Sequence, residues 1–148
     1  MFKEKFGEYV YEWDSITVEK NGLIFTATIE HDADYHIDDD DSHNVDQSVT
    51  GCNARQQKRL LNARRAWFND EWFYCGIVVS IKTNTGMVLN NHAASLWGIE
   101  ANYPMSDKRR RNPNTYLTDV ANELLPEAEE AAKKKIREWN EFASKYEL

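Results

Sequence analysis

Hydrophobic and polar residues alternate along SITVEKNGLIFTATIE, residues 15–30. Ile16 and Val18 share one side before Asn21-Gly22, and Leu23, Phe25, Ala27 and Ile29 share one side after it. A period of two is that of a strand with one buried face. Asn and Gly both tolerate the positive φ of a tight type I′ turn, so the stretch predicts a β-hairpin. The preceding EYVYEW is compatible with a further edge strand. In NARQQKRLLNARRAWFND, residues 53–70, the spacing becomes helical. Asn53 is placed to cap the helix, and Leu60, Leu61, Trp67 and Phe68 fall on one side at i, i+1, i+7 and i+8. Arg55, Lys58, Arg59, Arg64 and Arg65 take the remainder of the surface, and Asn69-Asp70 end the helix.

WFYCGIVVSI, residues 72–81, is almost continuously apolar, as a central strand covered on both faces would be. A turn over 83–86, a return strand at MVL and another at ASLWGIE complete the sheet. Within SLWGIE, Trp97 and Ile99 would share one face, with Trp97 filling the core, and Gly98 marks a bulge or a close backbone approach. Residues 101–114 read as a polar, proline-containing loop with a KRRR run. From 115 to 146 the apolar positions Leu117, Val120, Ala121, Leu124, Ala128, Ala132, Ile136, Trp139, Ala143 and Tyr146 recur every three or four residues. Proline inside a helix removes a donor and clashes with the preceding turn, at about 3 kcal/mol, so Pro126 predicts a kink or break near Leu125 and the start of a second helix. The elements together predict an α+β fold in one domain over 1–148. It comprises an antiparallel sheet of four to five strands built from hairpins, one crossing helix and a long kinked C-terminal helix.

Charge changes this picture. The chain carries −7, yet residues 30–46 hold Glu30, Asp32, Asp34, Asp38, Asp39, Asp40, Asp41 and Asp46 with no Lys or Arg. Without those eight carboxylates the rest would be almost neutral. Self-repulsion should extend such a segment, and residues 31–50 are expected to form an exposed, poorly ordered acidic loop.

Other chemistry is thinly represented. No apolar run approaches the roughly 18 residues of a membrane span. MFKEKFGEYVYEW lacks the apolar core of a signal peptide, which points to the cytoplasm. Cys52 and Cys75 have no CxxC spacing and read as reduced thiols, with Cys75 inert in an apolar strand. There is no GxSxG, no HExxH and no glycine-rich phosphate loop, so neither enzymatic activity nor a cofactor is expected. Asp32-x-Asp34-x-His36 begins like a calcium loop, but the turn glycine is missing and His43 stands where a bidentate Glu would be needed. A looser metal site through His31, Asp32, Asp34 and His36 stays open.

DEWFYCGIVVS at 70–80, HAASLWGIEANYP at 92–104 and YLTDVANELLPEA at 116–128, with IEHD at 29–32, resemble a group of small uncharacterised proteins encoded in phage and prophage genomes. The KRRR run at 108–111 and the charged extension over 127–148 depart from that group. The resemblance implies an accessory protein of a mobile element in the cytoplasm of a bacterial host cell, and it implies no catalytic residues.

Three functional readings follow. In the first, Asp32, Asp34, Asp38, Asp39, Asp40, Asp41 and Asp46 engage a basic nucleic-acid-binding surface of a host protein, as a nucleic-acid mimic or an inhibitor of host defence. In the second, Arg55, Arg59, Arg64, Arg65, Lys108, Arg109, Arg110 and Arg111 bind nucleic acid directly. The third is the metal site. A solvated loop that only keeps the chain dissolved is the alternative to all of them. The continuing stripe through Ile136, Trp139, Ala143 and Tyr146 additionally predicts a homodimer by pairing of the C-terminal helices.

Overall fold

The structure, a computed structural model, describes residues 1–45, 53–104 and 112–146. Strands β1 (Ser15–Lys20), β2 (Leu23–His31), β3 (Phe73–Thr83) and β4 (Val88–Ala101) form one antiparallel sheet in sequence order. Helix α1 (Ala54–Phe68) lies between the hairpins in sequence, and helix α2 (Thr115–Lys145) follows the sheet. The fold is therefore α+β.

The first hairpin forms as its pattern requires. Asn21 and Gly22 take φ of 55° and 79°, and Ile16 pairs with Ala27 in a register that puts both on the α2 side. On that side Phe25, Ala27, Ile29, Cys75, Ile77, Val79 and Ile81 pack against Leu117, Val120, Ala121, Leu124, Leu125 and Ala128 of α2. The N-terminal arm closes this core with Phe2, Phe6 and Val10, all buried, without forming the expected edge strand at EYVYEW. Its backbone is satisfied by side chains instead. Phe2 N donates to Asn122 Oδ1 at 2.8 Å, Phe6 N to Thr118 Oγ1 at 3.0 Å and Val10 N to Asn102 Oδ1 at 2.8 Å. A chain whose amides are already taken up this way has no need of a ladder partner.

Four further expectations are corrected. Residues 88–101 are one strand rather than two, bent by register shifts against β3. At Gly98 (φ 73°) the shift places Leu96 opposite Ile77 and Ile99 opposite Cys75, so Trp97 and Ile99 leave a common face. Trp97 remains 42 % exposed and lies over Gly76 on the side of the sheet away from α2. On α1 the predicted apolar face is buried only in part. Trp67 packs with Ala66 against Ile37, Trp72 and Tyr74 and Ala63 is buried, whereas Leu61 and Phe68 are exposed. Finally, α2 runs unbroken through Pro126. Pro126 faces solvent while Leu124, Leu125 and Ala128 on either side of it are buried, and that packing outweighs the lost hydrogen bond.

A Cβ at Gly76 would run into the Trp97 ring. Gly76→Ala should therefore cost about 1–3 kcal/mol in urea unfolding, by overpacking. Trp97→Val in the same chain should return part of that loss.

Candidate functional site

The acidic segment is folded onto the body. Beyond β2, Asp32 N donates to Tyr74 O at 2.9 Å and Asp32 Oδ2 accepts from Gly98 N at 3.1 Å, tying the segment's start to β3 and β4. Two short 3-10 turns follow, Ile37–Asp39 and Asp41–His43. Each aspartate that nucleates a turn uses its side chain as a cap, which is why an Asp-rich stretch folds tightly here. Asp39 Oδ2 accepts from His36 N at 3.1 Å while His36 Nδ1 accepts from Asp38 N at 3.0 Å. Asp40 Oδ1 accepts from Ser42 N at 3.1 Å and from Ser42 Oγ at 2.6 Å.

Two buried side chains anchor the turns. Ile37 is fully enclosed with Ala66, Trp72 and Tyr74, flanked by Tyr35, Trp67 and Tyr103. His43 packs against the rings of both Trp72 and Tyr103, with centroids at 5.4 and 5.5 Å. Its Nε2 sits 2.9 Å from Glu100 Oε1 and 3.8 Å from Asp40 Oδ2, and Tyr74 donates its hydroxyl to Asp40 Oδ2 at 2.8 Å. Burial opposes ionisation of Asp40, but hydrogen bonds from Ser42 and Tyr74 and the nearby His43 outweigh it and hold the carboxyl below its ordinary value. Burial, and then the Asp40 carboxylate, push the Tyr74 phenol well above its own. Burial likewise pushes Tyr103 up to about 12.

Over residues 31–45 the expected exposed, poorly ordered loop is thus corrected to an anchored one, and residues 46–50 of it lie outside the described residues. Asp34, Asp38, Asp39 and Asp41 face solvent, whereas Asp32 and Asp40 are half-buried and committed to internal hydrogen bonds. The segment also has a basic neighbour. Arg64 pairs with Asp38, and its hydrogen bond holds that carboxyl below its ordinary value. Asp46 lies outside the described residues, as do Cys52 and Lys108, Arg109, Arg110 and Arg111. Of the other predicted basic residues, Arg55, Arg59 and Arg65 are exposed on α1. Burial raises the Cys75 thiol to about 12, in keeping with an inert core cysteine.

The proposed ligand set of His31, Asp32, Asp34 and His36 is not brought together. His31 meets Phe73 edge to face, and His36 caps a turn while contacting Trp67. Among the described residues, the metal-capable side chains that converge are Asp40, His43 and Glu100, with one ligand atom from each within 4.8 Å of the others. That spacing suits one small divalent ion, but the surroundings do not complete such a site. A metal-bound imidazole ordinarily donates its second N–H to a partner, and His43 Nδ1 is buried with no hydrogen bond to any described residue. The arrangement serves as an internal lock, in which one imidazole nitrogen bonds Glu100 and lies beside the Asp40 carboxylate. Glu100 also reaches a cleft of about 410 Å³ whose walls include Trp97, Tyr103 and Tyr116.

No signal in the sequence identified Glu100, Tyr74 or Trp72 as partners of the acidic segment, since His43 and Glu100 are 57 positions apart. Comparison with known proteins finds no matching family model, no matching curated protein and no matching solved structure.

Tyr74→Phe removes a hydrogen bond to a charged acceptor and should cost about 1.5–3 kcal/mol. The pH dependence has two limbs. A carboxyl lowered on folding stabilises the protein above its unfolded value, 3.8 for Asp40, and that contribution is lost as pH falls through the folded value. A phenol raised on folding stabilises below its unfolded value, 10.0 for Tyr74, and that contribution is lost as pH rises. Chemical unfolding across pH should therefore show both limbs in the parent protein. In Tyr74→Phe both limbs should be shallower.

Proposed function

We propose that the chain is a non-enzymatic protein-interaction module whose anchored acidic segment docks on a basic, nucleic-acid-binding surface of another protein. The observation that carries this reading is the display of Asp34, Asp38, Asp39 and Asp41 at the surface of a segment whose Ile37 and His43 are buried in the body. Folding carboxylates into one place costs repulsion, and here the cost is met in the free protein. Docking then needs little further ordering, so charge complementarity is expressed as affinity and as a fast, salt-sensitive encounter. Among the described residues the one ion pair this segment makes with a Lys or Arg is Asp38 with Arg64, and Asp34, Asp39 and Asp41 are left for a partner. An accessory role in a bacterial host, as an inhibitor of host defence or a nucleic-acid mimic, follows from the resemblance to phage-encoded proteins. No helix among the described residues is long and apolar enough to cross a membrane.

The second reading, direct binding of nucleic acid, draws on the exposure of Arg55, Arg59 and Arg65 on α1. A single set of variants separates the two. Asp34→Asn, Asp39→Asn and Asp41→Asn combined should leave the melting temperature unchanged or slightly raised, because none of the three pairs with a Lys or Arg among the described residues and asparagine at 39 keeps an oxygen to accept from His36 N. As bait in bacterial lysate, the triple variant should lose proteins that the parent chain retains at low ionic strength, with affinity for a captured partner reduced about tenfold or more. An unchanged captured set contradicts the proposal. A gel shift with duplex or single-stranded nucleic acid that disappears when Arg55, Arg59 and Arg65 become Ala would favour the second reading.

A further inference from the structure

Helix α2 outlasts the body it packs on. Its last buried residue is Ala132, and no residue from Lys133 to Tyr146 is buried. At 1.5 Å per residue the remaining turns project roughly 20 Å. A free helix of that length is marginal in water unless its apolar face is covered. That face is present: Ile136, Trp139, Phe142 and Tyr146 are 39, 39, 65 and 57 % exposed. With 3.6 residues per turn they fall, with Ala143, within about a third of the circumference, on the continuation of the stripe that Leu117, Leu124 and Ala128 bury against the sheet. Beyond Ala132 the core-facing stripe continues with none of its residues buried by the described residues.

We infer that this stripe is covered by the same stripe of a second copy, with the two helices antiparallel and Trp139 at the twofold axis. Two properties of the stretch favour a second copy in that orientation. Its exposed apolar side chains would meet one another about Trp139, with Ile136 at −3 facing Phe142 at +3 of the other chain. A twofold interface requires this self-complementarity, because each patch must fit itself. The charge along the axis is also uneven. Lys133, Lys134, Lys135 and Arg137 lie before Trp139, whereas Glu138 and Glu141 against Lys145 make the stretch from 138 to 145 net acidic. Antiparallel pairing sets the basic half of one helix beside the acidic half of the other, whereas parallel pairing sets four cations beside four. The inference is independent of the acidic segment, which lies on other elements.

Light scattering on the full chain at micromolar concentration tests it. The expected mass is twice 17.3 kDa. Trp139→Asp should weaken association by about a hundredfold or more and leave the melting of the body unchanged, because nothing beyond Ala132 is buried in it. Orientation is read by oxidative cross-linking in a Cys52→Ser background. Lys135→Cys mixed with Ala143→Cys should form the mixed disulfide dimer, while Ala143→Cys alone should not link to itself. A parent chain at 17.3 kDa up to roughly 100 μM, a dimer indifferent to Trp139→Asp, or self-linking of Ala143→Cys would each overturn the inference.

Discussion

The acidic segment keeps its shape because two of its side chains are buried where the others repel. Ile37 leaves water completely, which contributes roughly 1.5–3 kcal/mol. Asp40 and His43 add hydrogen bonds to Tyr74 and Glu100 in a half-buried setting, where such bonds are worth more than in water. Against this, two exposed carboxylates a few ångströms apart repel by only about 1 kcal/mol, and salt weakens the repulsion further. The anchor wins, and a stretch dense enough in aspartate to be expected as extended chain becomes a fixed surface.

Strand β3 is where these demands meet. Cys75, Ile77, Val79 and Ile81 supply the core beneath α2. On the opposite side of the same strand, Tyr74 reaches Asp40, and Trp72 just before it stacks on His43 and donates to Ala63 O at 2.8 Å. One strand thus holds the hydrophobic core and, through its first residues, the acidic turns and α1. The interaction surface is consequently coupled to the stability of the domain, since the ring that binds Asp40 cannot be removed without loosening α1 as well.

What was legible in the sequence was local. Asn21-Gly22 has the backbone freedom its turn needs, Asn53 caps α1 through Gln56 N at 2.9 Å, and Gly98 does sit at a break in register. Each of these depends on a few neighbouring residues. The errors arose where distant packing overrode a local rule. Pro126 does not end α2, because buried residues flank it on the inner face. Trp97 leaves the core because the bulge inverts the alternation that placed it there. The amides of Phe2, Phe6 and Val10 are satisfied by asparagine and threonine side chains that lie 92 to 120 positions away, and no spacing announces that. The acidic segment follows the same rule. Charge density was visible, and the residues that restrain it were not.

Backbone ¹⁵N relaxation across residues 31–45 tests the anchored surface most directly, because it separates a fixed arrangement of carboxylates from a mobile string of them. The account predicts order parameters near 0.85 through Ile37, Asp40 and His43, matching those of β3. Values below about 0.6 over the same residues, beside a rigid sheet, would contradict it.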